Sequence, residues 1–291
     1  MNRRILCRIL TAGVGWGLTT AAEEGAFRKV SDLVFAEVDG RELLLDLYLP
    51  QASKAPPLVV YVHGGAWRAG SKDSMPLTGL LGEGYAIASV DYRLTPDARF
   101  PAQVHDIKAA IRFLRGNQDR YPYDSRKVAI AGSSAGGHLA ALVGVTNGTA
   151  ELEGFVGGHL DQSSEVQAIV AYFGASNLLT ILQQSTPRGL SVRKPALQLL
   201  LGGQPEKQRQ LAILASPVSH VDRSDPPLLL LHGDQDAQMP INQSHELHGK
   251  FKGLGLAVAL YVLHGAAHGG RVFYDEARTK LVSGFLASSG I

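Results

Sequence analysis

Cysteine is almost missing from this chain: Cys7 is the only one in 291 residues. A single thiol permits no intrachain disulfide framework and no thiolate metal cluster. An excess of one charge is missing too. Twenty-eight basic residues face 26 acidic ones, a balance too even and diffuse to point to nucleic acid. No segment reaches the ~18 consecutive apolar residues of a membrane helix. The ten histidines form no H-E-x-x-H and no convincing ligand set, which disfavours a metallohydrolase. Internal repeats and low-complexity linkers are absent, so one domain is the economical reading.

What is present describes a folded α/β protein. Hydrophobic residues make up 45% and charged residues 19%, which argues against disorder. Glycine supplies 33 of the 291 residues, against a usual share of about 7%. That excess suits many tight strand-to-helix turns. At the amino terminus, Arg3 and Arg4 precede an apolar stretch from Ile9 to Leu18, interrupted from the N-terminal side by Arg8, with Thr20 and Ala22 after it. This order predicts a secretory leader over 1–22, cut after Ala22, and hence a secreted or periplasmic protein. The alternative is an N-terminal extension of a cytosolic enzyme. Cleavage would remove three arginines and no acid, leaving 25 basic against 26 acidic residues.

From 23 to 291 the pattern alternates. Residues 30–38 and 42–49 predict two strands around Asp39-Gly40, a hairpin turn signal. Short apolar runs at 58–62, 85–90, 128–132, 168–173, 228–232 and 257–262 predict buried strands. Residues 102–115 place Val104, Ile107, Ala110, Ile111 and Leu114 on one helical face. Further helices are expected after Ser134, over about 240–252 and over about 271–287. The fold class is therefore α/β, a mostly parallel doubly wound sheet led by an antiparallel hairpin. Residues 174–222 break the alternation. Connections of this kind usually span 2–6 residues, so this lid-like insertion, helical near 176–184 and 195–201, is expected to cover a binding site; a purely structural closure of the sheet edge is the alternative.

Three motifs fall at strand ends. Gly132-Ser133-Ser134-Ala135-Gly136 matches G-x-S-x-G between a strand and an apolar helix, the setting of a nucleophile elbow with Ser134 at its apex. The plainer reading is a glycine-rich turn whose serine only caps the helix. His63-Gly64-Gly65-Ala66-Trp67 follows the strand at 58–62. Its Gly64 and Gly65 amides, with that of Ala135, are candidate donors to an oxyanion. His63 itself reads as a structural hydrogen-bonding residue. HGDQD at 232–236 and HGAAHGG at 264–270 supply an acid and a base in the order Ser, acid, His. Asp236 and His268 are favoured. Asp234 is the competing acid, better suited to capping its turn, and His264 sits nearer its strand end. Asp91, Tyr92, Arg93 and Asp106 read as a buried network bracing the oxyanion side. Tyr92 and Trp67 are also candidates for the substrate pocket, and His138 for a packed helix residue.

These strings, VYVHGGAWRAGSK, DYRLTPDARFPAQVHDIKAAIRFLR, GSSAGGHLAALVG, HGDQDAQMPINQS and HGAAHGG, resemble esterases of the α/β-hydrolase superfamily. They are most similar to the group typified by bifunctional acetyl xylan/feruloyl esterases, and more distantly to hormone-sensitive-lipase-like esterases. The resemblance runs over about 30–288. It implies Ser134 as nucleophile, Asp236 as acid, His268 as base, and Gly64, Gly65 and Ala135 as oxyanion donors, with no cofactor. Ser133 stands where relatives often carry aspartate, and Ala66 replaces the third glycine of the lipase-like branch; the second departure favours the xylan-esterase-like branch. The function implied is a serine carboxylic-ester hydrolase for acetyl, short acyl or hydroxycinnamoyl esters, small or polysaccharide-linked. A kynurenine-formamidase-like amidase and a general short-chain carboxylesterase are the alternatives.

Overall fold

The computed structural model describes residues 27–291 apart from 53 and 96, so the leader expected over 1–22 lies outside the described residues. β1 (Phe27–Val38) and β2 (Arg41–Pro50) form the hairpin. Its turn residues Asp39 and Gly40 both have positive φ, 52° and 77°, as a two-residue type I′ turn requires. β3 (Pro57–Val62), β4 (Ala86–Val90), β5 (Asp124–Ser133), β6 (Ala168–Tyr172), β7 (Leu228–Gly233) and β8 (Val258–Leu263) follow. Their order across the sheet is β1-β2-β4-β3-β5-β6-β7-β8. β2 is antiparallel to both neighbours, and every pair from β4 to β8 is parallel. All the expected strands are therefore present, within one or two residues of the ends of their apolar runs except where β1 and β5 extend further at their starts.

The pleat divides the interior in two. Along β3, Leu58, Val60 and Val62 enter one core while Val59 and Tyr61 enter the other, because successive side chains alternate across a sheet. β4, β6 and most of β3 and β7 are buried on both faces, which is why they read as unbroken apolar runs. β8 alternates instead, as a strand at the sheet edge should.

Nine α-helices surround the sheet among the described residues: α1 (Thr78–Gly82), α2 (Ala102–Gly116), α3 (Ala135–Gly144), α4 (Ala150–Glu153), α5 (Ile181–Gln184), α6 (Pro187–Leu201), α7 (Arg209–Leu214), α8 (Asn242–Gly253) and α9 (Glu276–Ser288). α2 buries the face expected of it, together with Asp106, Lys108 and Arg112. Those charges are compensated: Asp106 by Arg93, Lys108 and Arg112 by Glu153 and backbone carbonyls. α9 starts later than the expected 271 because a 3₁₀ turn over Arg271–Phe273 comes first.

The insertion 174–222 holds α5, α6 and α7. It is a docked cap: Leu178, Ile181, Ala196, Leu197, Leu200, Leu201, Ala212 and Ala215 join the main core. α6 begins earlier than its apolar residues suggested. Thr186 caps it by accepting the Gly189 amide, and Pro187 takes the first helical position, where its missing N–H costs nothing.

Candidate active site

The carboxyl ends of β3, β5, β7 and β8 carry the four loops that the motifs singled out, so the topology brings them together. The elbow turns at Ser134, whose φ of 55° and ψ of −115° are unusual for a residue with a Cβ. The sharpness explains the flanking glycines. A Cβ on Gly132 would lie 2.2 Å from the Gly136 carbonyl oxygen, and one on Gly136 would lie 2.0 Å from that of Val62. β5 therefore runs into α3 only with hydrogen at both places. The Ser134 amide donates to the Tyr172 carbonyl oxygen at 2.9 Å, anchoring the turn to β6. Ser134 retains 8% exposure.

The Ser134 hydroxyl lies 2.9 Å from His268 Nε2, and His268 Nδ1 lies 2.6 Å from Asp236 Oδ2. A carboxylate can only accept, so Nδ1 carries the proton and Nε2 is free to receive that of the serine. Asp236 is held from four directions. Its Oδ1 accepts the amides of Gln238 and Met239, each at 2.8 Å; its Oδ2 faces His268 and, at 3.4 Å, His232. Burial alone would raise this carboxyl. The hydrogen bonds from His232 and His268 and the Met239 amide outweigh it and hold Asp236 well below the usual carboxylate range. His232 is fixed in turn: Nε2–H donates to the Met239 carbonyl at 3.1 Å, and Nδ1 accepts from Ser244 at 2.7 Å.

The competing acid and base pair with each other. Asp234 accepts from His264 Nδ1 at 2.8 Å and from the Gly265 amide at 2.8 Å. This pair sits outside the Ser134 contact, with the His264 side chain 87% exposed, and it clips the acid loop to the base loop.

The loop after β3 lies against the elbow. A Cβ on Gly64 would be 2.9 Å from the Ser133 carbonyl oxygen and 3.4 Å from Ser134 Cβ. The amides of Gly64, Gly65 and Ala135 donate to no acceptor among the described residues, and that of Ala135 opens α3, where the helix dipole favours negative charge. His63 Nδ1–H donates to the Gly64 carbonyl at 2.7 Å.

Two expectations for the substrate pocket are corrected. Trp67 is fully buried. Its indole N–H donates to His138 Nδ1 at 3.1 Å, and His138 Nε2–H donates to the Ala215 carbonyl at 2.7 Å. Positive φ at Ala66 and Trp67 turns the indole inward, so it joins the oxyanion loop to α3 and the cap. Burial lowers His138 to about 4, keeping it neutral, as both its hydrogen bonds require. Tyr92 is buried as well. It stacks on His63 with ring centroids 4.4 Å apart, and its hydroxyl donates to the His63 carbonyl. Arg93 grips Asp106 through its backbone amide and its guanidinium, the expected bracing network.

Four contacts near the triad had no signal in the sequence. Ser133 Oγ lies 3.0 Å from the Tyr61 hydroxyl and 2.5 Å from that of Tyr274, tying the elbow to the chain beyond His268. Phe173, at φ 40°, sets its ring 4.8 Å from the His268 ring and 4.7 Å from that of Phe273. Each residue lies two or more loops away from its partner, so spacing alone could not have found them. Hollows of about 450 Å³ around Phe155 and about 770 Å³ around Arg209 are lined by no triad residue; geometry, not volume, marks the site.

A parallel sheet with an antiparallel leading hairpin, a nucleophile elbow and a Ser–His–Asp constellation defines an α/β hydrolase. The chain belongs to the BD-FAE family, whose model matches residues 45–251. Esterase LipC of Mycobacterium tuberculosis is 32% identical over 235 residues, covering 78% of this chain and 56% of LipC. The chain thus spans about half the length of the curated relatives it matches. Among solved structures, a truncated carbohydrate esterase from gut microbiota superposes with a TM-score of 0.84 at 30% identity, covering 92% of this chain and 98% of the other. Esterase 2 of the planctomycete Thermogutta terrifontis, solved as its sarin-phosphonylated form, gives a TM-score of 0.76 at 25% identity over 89% of this chain and 94% of that one.

Proposed function

We propose that the protein is a serine carboxylic-ester hydrolase working through an acyl-enzyme, and that its substrates are acetyl, short acyl or hydroxycinnamoyl esters of the kind carried by plant polysaccharide. The observation that carries the reading is the unbroken relay from Ser134 through His268 to Asp236, at 2.9 and 2.6 Å. His268 takes the serine proton as Ser134 Oγ attacks the ester carbonyl carbon. The carbonyl oxygen, now negative, is received by the amides of Gly64, Gly65 and Ala135; one such donor is worth about 3–4 kcal/mol in comparable enzymes. Asp236 stabilises the imidazolium, which returns its proton to the departing alcohol. Water then repeats the sequence on the acyl-enzyme, releasing the acid and Ser134.

The carbohydrate-esterase neighbour and the BD-FAE match favour a sugar-linked alcohol. LipC, an esterase, supports the ester bond without the sugar. We read the leader over 1–22 as directing the enzyme to the periplasm or outside the cell. A panel of p-nitrophenyl acyl esters, methyl ferulate, acetylated xylan and N-formylkynurenine tests the reading. Release of acetate from xylan with little turnover of the formamide is expected. Turnover of only the p-nitrophenyl esters would reduce the reading to a general carboxylesterase, and preference for the formamide would replace it with the amidase.

A further inference from the structure

His268 sits in the most weakly tethered part of its loop. No backbone hydrogen bond involves Ala267, His268 or Gly269 among the described residues. Gly269 and Gly270 follow, both at positive φ, 85° and 104°. The amides of Phe273 and Tyr274 reach back only to Gly270 and Arg271, which ties the loop to itself and not to the sheet. Upstream the loop is fastened at Ala266, whose carbonyl accepts the Gln235 amide. The downstream fastening must therefore come from side chains.

Two neighbouring residues supply it. Phe273 is fully buried and meets the Phe173 ring edge to face, and Phe173 meets the His268 ring in the same way. Tyr274 places its ring 5.1 Å from that of Tyr172 and its hydroxyl 2.5 Å from Ser133 Oγ. Ser133 precedes the nucleophile, and the Tyr172 carbonyl accepts the Ser134 amide. The contacts thus close a ring from Ser134 through His268, Phe173, Phe273 and Tyr274 back to Ser133. Burial pushes Tyr61 up to about 12 and raises Tyr274 as well, so both hydroxyls around Ser133 keep their protons at neutral pH. The helix beyond does not need this bond. α9 is docked by Val282 and Leu286, by the Tyr85 hydroxyl on the Ser283 carbonyl at 3.2 Å and by Lys280 on Glu83.

We propose that Tyr274 is a positioning residue of the triad. Its hydroxyl, bonded to Ser133, sets the separation between base loop and elbow and so keeps His268 Nε2 within reach of Ser134. Tyr274 itself touches neither reacting group. This rests on the esterase reading above.

Steady-state hydrolysis of p-nitrophenyl acetate by the full chain tests it. Tyr274→Phe removes one oxygen and keeps the ring on Tyr172. It is expected to lower kcat about tenfold, because a small displacement of a reacting group is costly, with KM within about twofold. The rate at which a fluorophosphonate labels Ser134 should fall in parallel. Ser133→Ala breaks the same bond from the other end, so the double variant should be no slower than the slower single variant. Tyr85→Phe also removes a tyrosine hydroxyl bond, the one to α9. It should lower the melting temperature as much as Tyr274→Phe does while keeping kcat within about twofold. Unchanged kcat in Tyr274→Phe, equal losses of kcat in Tyr274→Phe and Tyr85→Phe, or losses that multiply in the double variant would overturn the proposal. Wild-type protein that hydrolyses no ester would overturn the esterase reading along with it, a result distinct from an active wild type matched by Tyr274→Phe.

Discussion

Replacing Asp236 by Asn is the sharpest probe of the relay. Asp236 Oδ1 accepts two amides at 2.8 Å, so the Asn carbonyl must occupy that place and its NH₂ must take the Oδ2 place. There it faces His268 Nδ1, 2.6 Å from the present oxygen. Two donors cannot share that contact, so His268 is driven to the tautomer with its proton on Nε2, and Nε2 can no longer accept from Ser134. The analogous change in serine proteases lowers kcat about 10⁴-fold, equivalent to about 5 kcal/mol of barrier. The same loss is expected here in p-nitrophenyl acetate hydrolysis at pH 7.5, with KM nearly unchanged. Stability should respond as well. The carboxyl is depressed in the folded state, so its contribution is present above the ordinary carboxylate pKa and is lost as pH falls through the folded value. Asp236→Asn should therefore melt below wild type at neutral pH, with the gap closing in acid. Asp234→Asn, on the exposed pair with His264, should keep kcat within about threefold, since solvent screens an exposed ion pair and leaves it little to contribute. Equal losses in the two variants, or more than a tenth of activity left in Asp236→Asn, would refute the tautomer argument.

Gly136→Ala brings a Cβ to within 2.0 Å of the Val62 carbonyl oxygen and 2.5 Å of that of His63. Both are backbone atoms of the β3 end, so a loss of at least about 3 kcal/mol is expected in a denaturant melt; wild-type stability in this variant would mean the elbow is not packed as described. Burial, reinforced by Asp222, pushes Asp225 up to about 7 against the opposing Asp222 amide bond. A raised carboxyl stabilises below its ordinary pKa, and that contribution is lost as pH rises through about 7. Asp225→Asn should accordingly melt above wild type at pH 8, with the difference vanishing near pH 4; a constant offset between those pH values would contradict this.

The sheet was legible because its strands are buried on both faces. LVVYV, AIASV and LLLLH allow no other comfortable setting, and the Asp39-Gly40 turn needs the positive φ it predicts. The triad was legible for a related reason: each of its motifs follows a strand, and parallel strands collect their carboxyl ends at one edge. Trp67 and Tyr92 show where that logic stops. Proximity along the chain to an oxyanion loop does not decide which way a side chain turns, and the positive φ at Ala66 and Trp67 sends the indole into the core. The short helices α1, α4 and α7 span four to six residues, too few for an apolar period to register. The Ser133–Tyr274 contact joins residues 141 positions apart, fixed only when the elbow and the chain beyond the base loop dock.

The central claim is that Ser134 is a nucleophile activated by His268. Treatment of the folded protein with a fluorophosphonate, followed by intact-mass and peptide analysis, tests it directly. The account predicts one adduct, on Ser134, formed with loss of ester hydrolysis and absent from Ser134→Ala and strongly slowed in His268→Ala. No adduct on the folded protein, an adduct at another serine, or undiminished hydrolysis by Ser134→Ala would contradict it.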